Sequence, residues 1–99
     1  MMMYAYSILD SKTGMFSQPW FFNHDQTAFR TVNEAAKDPN SNLYKYPEDF
    51  HLYKIGVFDD NTAELAPTPL QAMGSIASLL AANRPQPTVE PNDNRSAVM

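Results

Sequence analysis

Two histidines, His24 and His51, and the acids between Glu48 and Asp60 are the side chains of this 99-residue chain that could hold a metal or move a proton. The histidines fall in separate elements and lack the i, i+4 or short-loop spacing of a metal pair. A site would need the fold to bring Glu48, Asp49 or Asp59 to them. Their simpler roles are a first-turn surface residue and a strand residue. Asp59 and Asp60, with Glu48 and Asp49 nearby, supply carboxylates of the kind used in acid–base work. That work needs a pocket which drives two pKa values apart. Placed at strand ends and turns, these acids more simply serve local hydrogen bonding. "DDNT" lacks the length and closing Glu of a calcium loop. Gly14, Gly56 and Gly74 stand too far apart for a phosphate loop. With no cysteine, thiolate metal sites, disulfides and cysteine nucleophiles are excluded. The reading is therefore no catalytic residue, no metal, no cofactor and no enzyme.

The aromatic residues offer a different chemistry. "YKYPEDFHLYKIGVFDD", residues 44–60, sets Tyr44, Tyr46, Phe50, Tyr53 and Phe58 among Lys45, His51 and Lys54. A base stacked on an exposed ring contributes about 1–3 kcal/mol, and neighbouring cations follow the backbone. The candidate nucleic-acid-binding set is Lys12, Trp20, Arg30, Tyr44, Lys45, Tyr46, Tyr53 and Lys54, with Tyr4, Tyr6 and Phe16 as further rings. The competing use of these rings is a hydrophobic core. Phe29 and Phe50 belong to that core by position. Tyr44, Tyr46 and Trp20 suit either role, because their polar atoms tolerate partial exposure. A net charge of −4 opposes phosphate contact unless folding gathers the scattered cations onto one face.

The elements that must place these residues read as β-β-α-β-β. "MYAYSILDSKTGMFSQPWFF" forms a hairpin turning at "DSKTG", where Gly14 supplies positive φ. In its first strand Tyr4, Tyr6 and Ile8 share one face, and Met3, Ala5 and Leu9 the other. Both faces are apolar, so the strand is expected to be covered on both sides. Pro19 cannot donate to a ladder and makes the second strand, Met15 to Phe22, an edge or an interrupted one. "NHDQTAFRTVNEAAKDP" is a helix with Asn23 as cap, Gln26 in capping-box position and Phe29, Val32 and Ala36 at helical spacing. "NSNLYKYPEDF" is a loop. Phe50 to Phe58 is the most β-prone stretch, and Ala63 to Ala66 returns beside it after "DDNT". In "PTPLQAMGSIASLLAANRP" Thr68, Pro69 and Gln71 resemble a helix start. Leu70, Met73, Ile76 and Leu80 then form a stripe suited to a partner interface. Pro-rich residues 84–99 are expected to be a disordered tail.

The fold class is thus α+β: a small antiparallel sheet of two hairpins with one packed helix, a C-terminal helix and the tail. The divisions are a β-β-α-β-β domain (1–66), an amphipathic helix (67–83) and the tail (84–99). An apolar second sheet face leaves surface for another copy to cover, so a homodimer is expected. No apolar run has the length of a membrane span, and the start lacks a secretory pattern, so a soluble intracellular protein is expected.

"YSILDSKTGMFSQPWFF" followed by "YPEDFHLYKIGVFDD" resembles the small non-structural protein of gokushoviruses, the single-stranded DNA microviruses. Tyr6, Ser7, Asp10, the block Asp38 to Asn42, Pro47 to Phe50, Gly56, Asp59, Asp60 and Thr62 carry the likeness. The resemblance implies a phage protein absent from the capsid and acting in the host cytoplasm. It also implies a role in genome replication, by binding single-stranded DNA or by steering replication toward packaging. The competing class, favoured by the net negative charge and the late helix, is a protein-interaction module that regulates replication or packaging through the host or through viral replication or assembly proteins.

Overall fold

The computed structural model describes residues 1–83. The tail expected at 84–99 lies outside the described residues. Strand β1 (Met2–Asp10) is the spine of an antiparallel sheet, with β4 (Phe50–Asp59) on one side. On its other side lie two short strands, β2 (Met15–Phe16) and β3 (Trp20–Phe22). Pro19 falls in the gap between them, where a missing N–H costs no ladder bond. The β1–β2 turn closes as expected: Gly14 sits at φ 75° and its N–H donates to the Asp10 carbonyl at 2.7 Å. The architecture is α+β, as the two-hairpin pattern predicts.

Helix α1 (Asp25–Ala35) packs Ala28 and Val32, with Ala36 at its end, against Tyr6, Ile8 and Leu52. These small residues let the helix approach the sheet closely. The cap differs from expectation. His24, not Asn23, occupies the cap position, and no side chain caps the helix. The stretch read as a loop contains one helical turn, α2 (Asn42–Lys45), because the Ser41 hydroxyl accepts from the Leu43 N–H at 3.0 Å.

The largest correction concerns residues 67–75. They are not helix. Strand β5 runs from Glu64 to Ser75 along the far edge of β4, and helix α3 covers only Ile76–Asn83. Two physical reasons override the helix-start signal at Thr68, Pro69 and Gln71. First, the Phe50–Lys54 half of β4 needs partners for its backbone groups, and Gln71 to Ser75 provide them. Second, Gly74 stands at φ 128°, which no α-helix allows. The prolines are tolerated because β5 is an edge strand. The actual start of α3 is marked by Ser75, whose hydroxyl accepts from the Ser78 N–H at 3.0 Å.

Cross-strand register sorts the sheet residues onto two faces. Tyr4, Tyr6, Ile8, Phe50, Leu52 and Lys54 point toward the helices. Met3, Ala5, Ser7, Leu9, Tyr53 and Phe58 point away, joined by Phe16, Phe21 and Leu65 from neighbouring strands. β1 was expected to be covered on both sides. Among the described residues the helices cover one.

Candidate nucleic-acid interface

The predicted binding residues separate into four places. Lys12 and Tyr46 meet at one end of the sheet, Trp20 lines an adjoining hollow, and Tyr44 and Lys45 lie on the neighbouring residues 42–45. Two adjoining hollows mark this corner. One, of about 300 Å³, is lined by Lys12, Tyr46, Asn42, Asp10, Asp49 and Phe50. The other, of about 360 Å³, is lined by Trp20, Leu43, Ile8 and Phe16 and shares Asp10 and Phe50 with the first. α2 carries Tyr44 and Lys45 directly after Leu43, and neither side chain lines either hollow. Leu43 packs into the core and so anchors the turn, while Tyr44, Lys45 and Tyr46 are exposed. Trp20 is also exposed.

The remaining members lie elsewhere. Arg30 sits on α1 beside Gln26, Phe29, Asn33 and Glu34. Tyr53 is on the sheet face turned away from the helices, edge-on to Phe16 at 5.5 Å between ring centres. Lys54 is committed to a polar cluster. Its ammonium lies 2.9 Å from Asp25 and 4.5 Å from the centre of the Tyr4 ring. Tyr6, counted among the stacking rings by sequence, is fully buried, and its hydroxyl donates to Asp25 at 2.6 Å.

That cluster was not legible as a unit. Asp25 reads from sequence as a first-turn acid favoured by the helix dipole. The fold also makes it the joint between α1, β1 and β4. Burial acts to raise the Asp25 pKa, but the hydrogen bonds from Tyr6 and Lys54, with the Lys54 charge, outweigh it and hold the carboxyl below its ordinary value. Burial, and then the bond to Asp25, raise the Tyr6 pKa well above that of a free phenol. The ammonium of Lys54 is therefore neutralised where it stands.

The partner stripe also dissolves. Ile76 is fully buried within its own chain, and Met73 and Leu80 pack against the same core. Leu70 alone is strongly exposed, on β5 rather than on a helix. Among the described residues no three His, Asp or Glu side chains converge as a metal cluster. No helix among them is long and apolar enough to cross a membrane.

The chain matches the phage ORF5 protein family over residues 3–79 and belongs to it. No curated protein and no solved structure gives a significant match.

Proposed function

We propose that this phage protein acts without catalysis in replication of a single-stranded DNA genome, as a gokushovirus non-structural protein in the host cytoplasm. Its proposed contact with the strand is the corner formed by Lys12, Trp20, Tyr44, Lys45 and Tyr46. The observation that carries this reading is the exposure of Trp20, Tyr44 and Tyr46, with Tyr46 beside Lys12 in one hollow and Trp20 in the hollow that adjoins it. Rings of this kind accept any base by stacking, and the lysines meet phosphates. Asp10 and Asp49 line the same hollow, which limits affinity and favours low salt. The test is fluorescence anisotropy on labelled oligo-dT. Two lysine contacts predict a log–log salt slope of about −1.4, from roughly 0.7 counterions per phosphate on single strands. Absence of binding at tens of micromolar protein in low salt ends the proposal.

A second reading is a protein-interaction module acting on the host or on viral replication or assembly proteins. The net charge of −4 favours it, since an acidic surface repels phosphate. A pull-down from infected cells that retains a partner after nuclease treatment, with no oligonucleotide binding in vitro, would select this reading.

A further inference from the structure

The sheet face turned away from the helices meets the corner just described at Phe16 and is built of apolar rings. Its rings form two edge-to-face pairs, Phe16 with Tyr53 and Phe21 with Phe58, at 5.5 and 5.8 Å between centres. Met3 and Leu65 flank Phe58 in register. Phe16, Phe21 and Leu65 are 44%, 37% and 62% exposed. Among the described residues no Lys or Arg lies on this face of β1 or β4 in the register.

We infer that this face is the contact between two copies of the chain, packed sheet on sheet. Three arguments select a second copy as occupant. The first is charge. A nucleic-acid strand would bring phosphates to a face whose β1 and β4 positions offer no Lys or Arg, only His51, whereas an identical face brings mainly apolar groups. The second is symmetry. A two-fold contact places the same patch on both sides, and a flat, twisted sheet face is complementary to itself at the aligned packing angle of sandwiches. The third is area. Four strand positions spaced about 4.8 Å apart and strands about 30 Å long give roughly 570 Å² per face, so two faces bury about 1,100 Å². That passes the roughly 1,000 Å² expected of a specific contact. The chain's own residues 84–99 are poor candidates. They follow α3, which packs on the opposite face, and contain no aromatic residue.

The corner adjoins the dimer contact at Phe16, which also lines the Trp20 hollow, while Trp20 itself pairs with Tyr6 and lies on the helix side. Each dimer then presents two such corners. This inference stands without strand binding, and its test separates the two.

The experiment is sedimentation velocity on the full chain at tens of micromolar. The wild-type protein is expected to run as a dimer. Phe21→Glu and Leu65→Glu are expected to run as monomers with unchanged far-ultraviolet circular dichroism, and Tyr46→Ala to remain dimeric. Thermal unfolding supplies a readout that needs no variant: a dimer melts at higher temperature as concentration rises. A wild-type monomer with a concentration-independent melting temperature overturns the inference. So does a dimer that survives both glutamate substitutions. A chain ending at Asn83 that dimerises where the full chain does not would assign the face to the tail and overturn it equally.

Discussion

Tyr6 and Tyr53 lie on adjacent strands, but they meet opposite surroundings. Tyr6 points to the helices, is fully buried and has its hydroxyl bonded to Asp25. Tyr53 points the other way and rests edge-on against Phe16, half-buried. The helix side is closed because α1 offers Ala28, Val32 and Ala36, small enough for close approach. Among the described residues no helix covers the other side, and its rings lie over Ala5 and Ser7, which are buried. One face is thus stabilised by packing and a satisfied polar cluster. The other keeps its apolar surface available.

Substitutions at paired leucines break this comparison most sharply. Leu52→Ala removes a fully buried side chain on the helix side and should cost about 2–5 kcal/mol. Ile76→Ala, equally buried, should cost a similar amount within that range. Leu65→Ala on the open side should change stability of dilute protein by no more than about 0.5 kcal/mol. Urea unfolding at low protein concentration measures all three. Equal losses at Leu52 and Leu65 would mean that the open face is covered within one chain.

Next in size is the ring corner. Tyr46→Ala should weaken oligo-dT binding by about 1–3 kcal/mol, roughly 5- to 150-fold, from the loss of one stacked base. Its unfolding midpoint should hardly move, because Tyr46 is exposed. A binding loss that tracks loss of folding would remove the corner as a site.

The polar cluster sets a smaller effect with a defined pH dependence. Tyr6→Phe deletes a hydrogen bond to a carboxylate that is itself 41% exposed and still held by Lys54. The expected cost is about 1–1.5 kcal/mol, the lower end for a bond to a charged group, because water reaches Asp25. The folded pKa of Asp25 lies below its unfolded value. Its contribution is therefore present in full above about pH 4 and is lost as pH falls through the folded value. Stability measured between neutral pH and pH 3 should drop more for the wild type than for Asp25→Asn. Parallel curves would show that the cluster does not couple to folding.

The first hairpin, the break at Pro19 and the apolar face of α1 were legible because each rests on local chemistry: a positive-φ glycine, a missing N–H and a 3.6-residue period. The corner was legible in part. Tyr44, Tyr46 and Trp20 were open between two roles; the anchoring of α2 through Leu43 leaves the two tyrosines exposed, and Trp20 is exposed on the short outer strand β3. Lys54 was misleading for a reason no local pattern carries. Its partner Asp25 lies 29 residues away and meets it only when α1 docks across β1 and β4. Phe21 drew no notice in sequence because its significance depends on Phe58, a contact made across β1.

The smallest predicted effect tests the reading of residues 67–75. A helix over 67–83 would place Leu70 in one stripe with Met73, Ile76 and Leu80, and removing it would then resemble removal of Ile76. In the strand, Leu70 is exposed and opposite the irregular stretch between Lys54 and Gly56, where the β4–β5 register shifts. Leu70→Ser should therefore alter stability by less than about 0.5 kcal/mol. Gly74→Ala should be much costlier than this surface change, since it forces φ 128° on a residue with a Cβ and drives that atom to 2.9 Å from the Ser78 hydroxyl. In a helix the order reverses: alanine would replace glycine to advantage, and serine would empty a buried position. Urea unfolding of the two variants side by side distinguishes strand from helix by the sign of their difference.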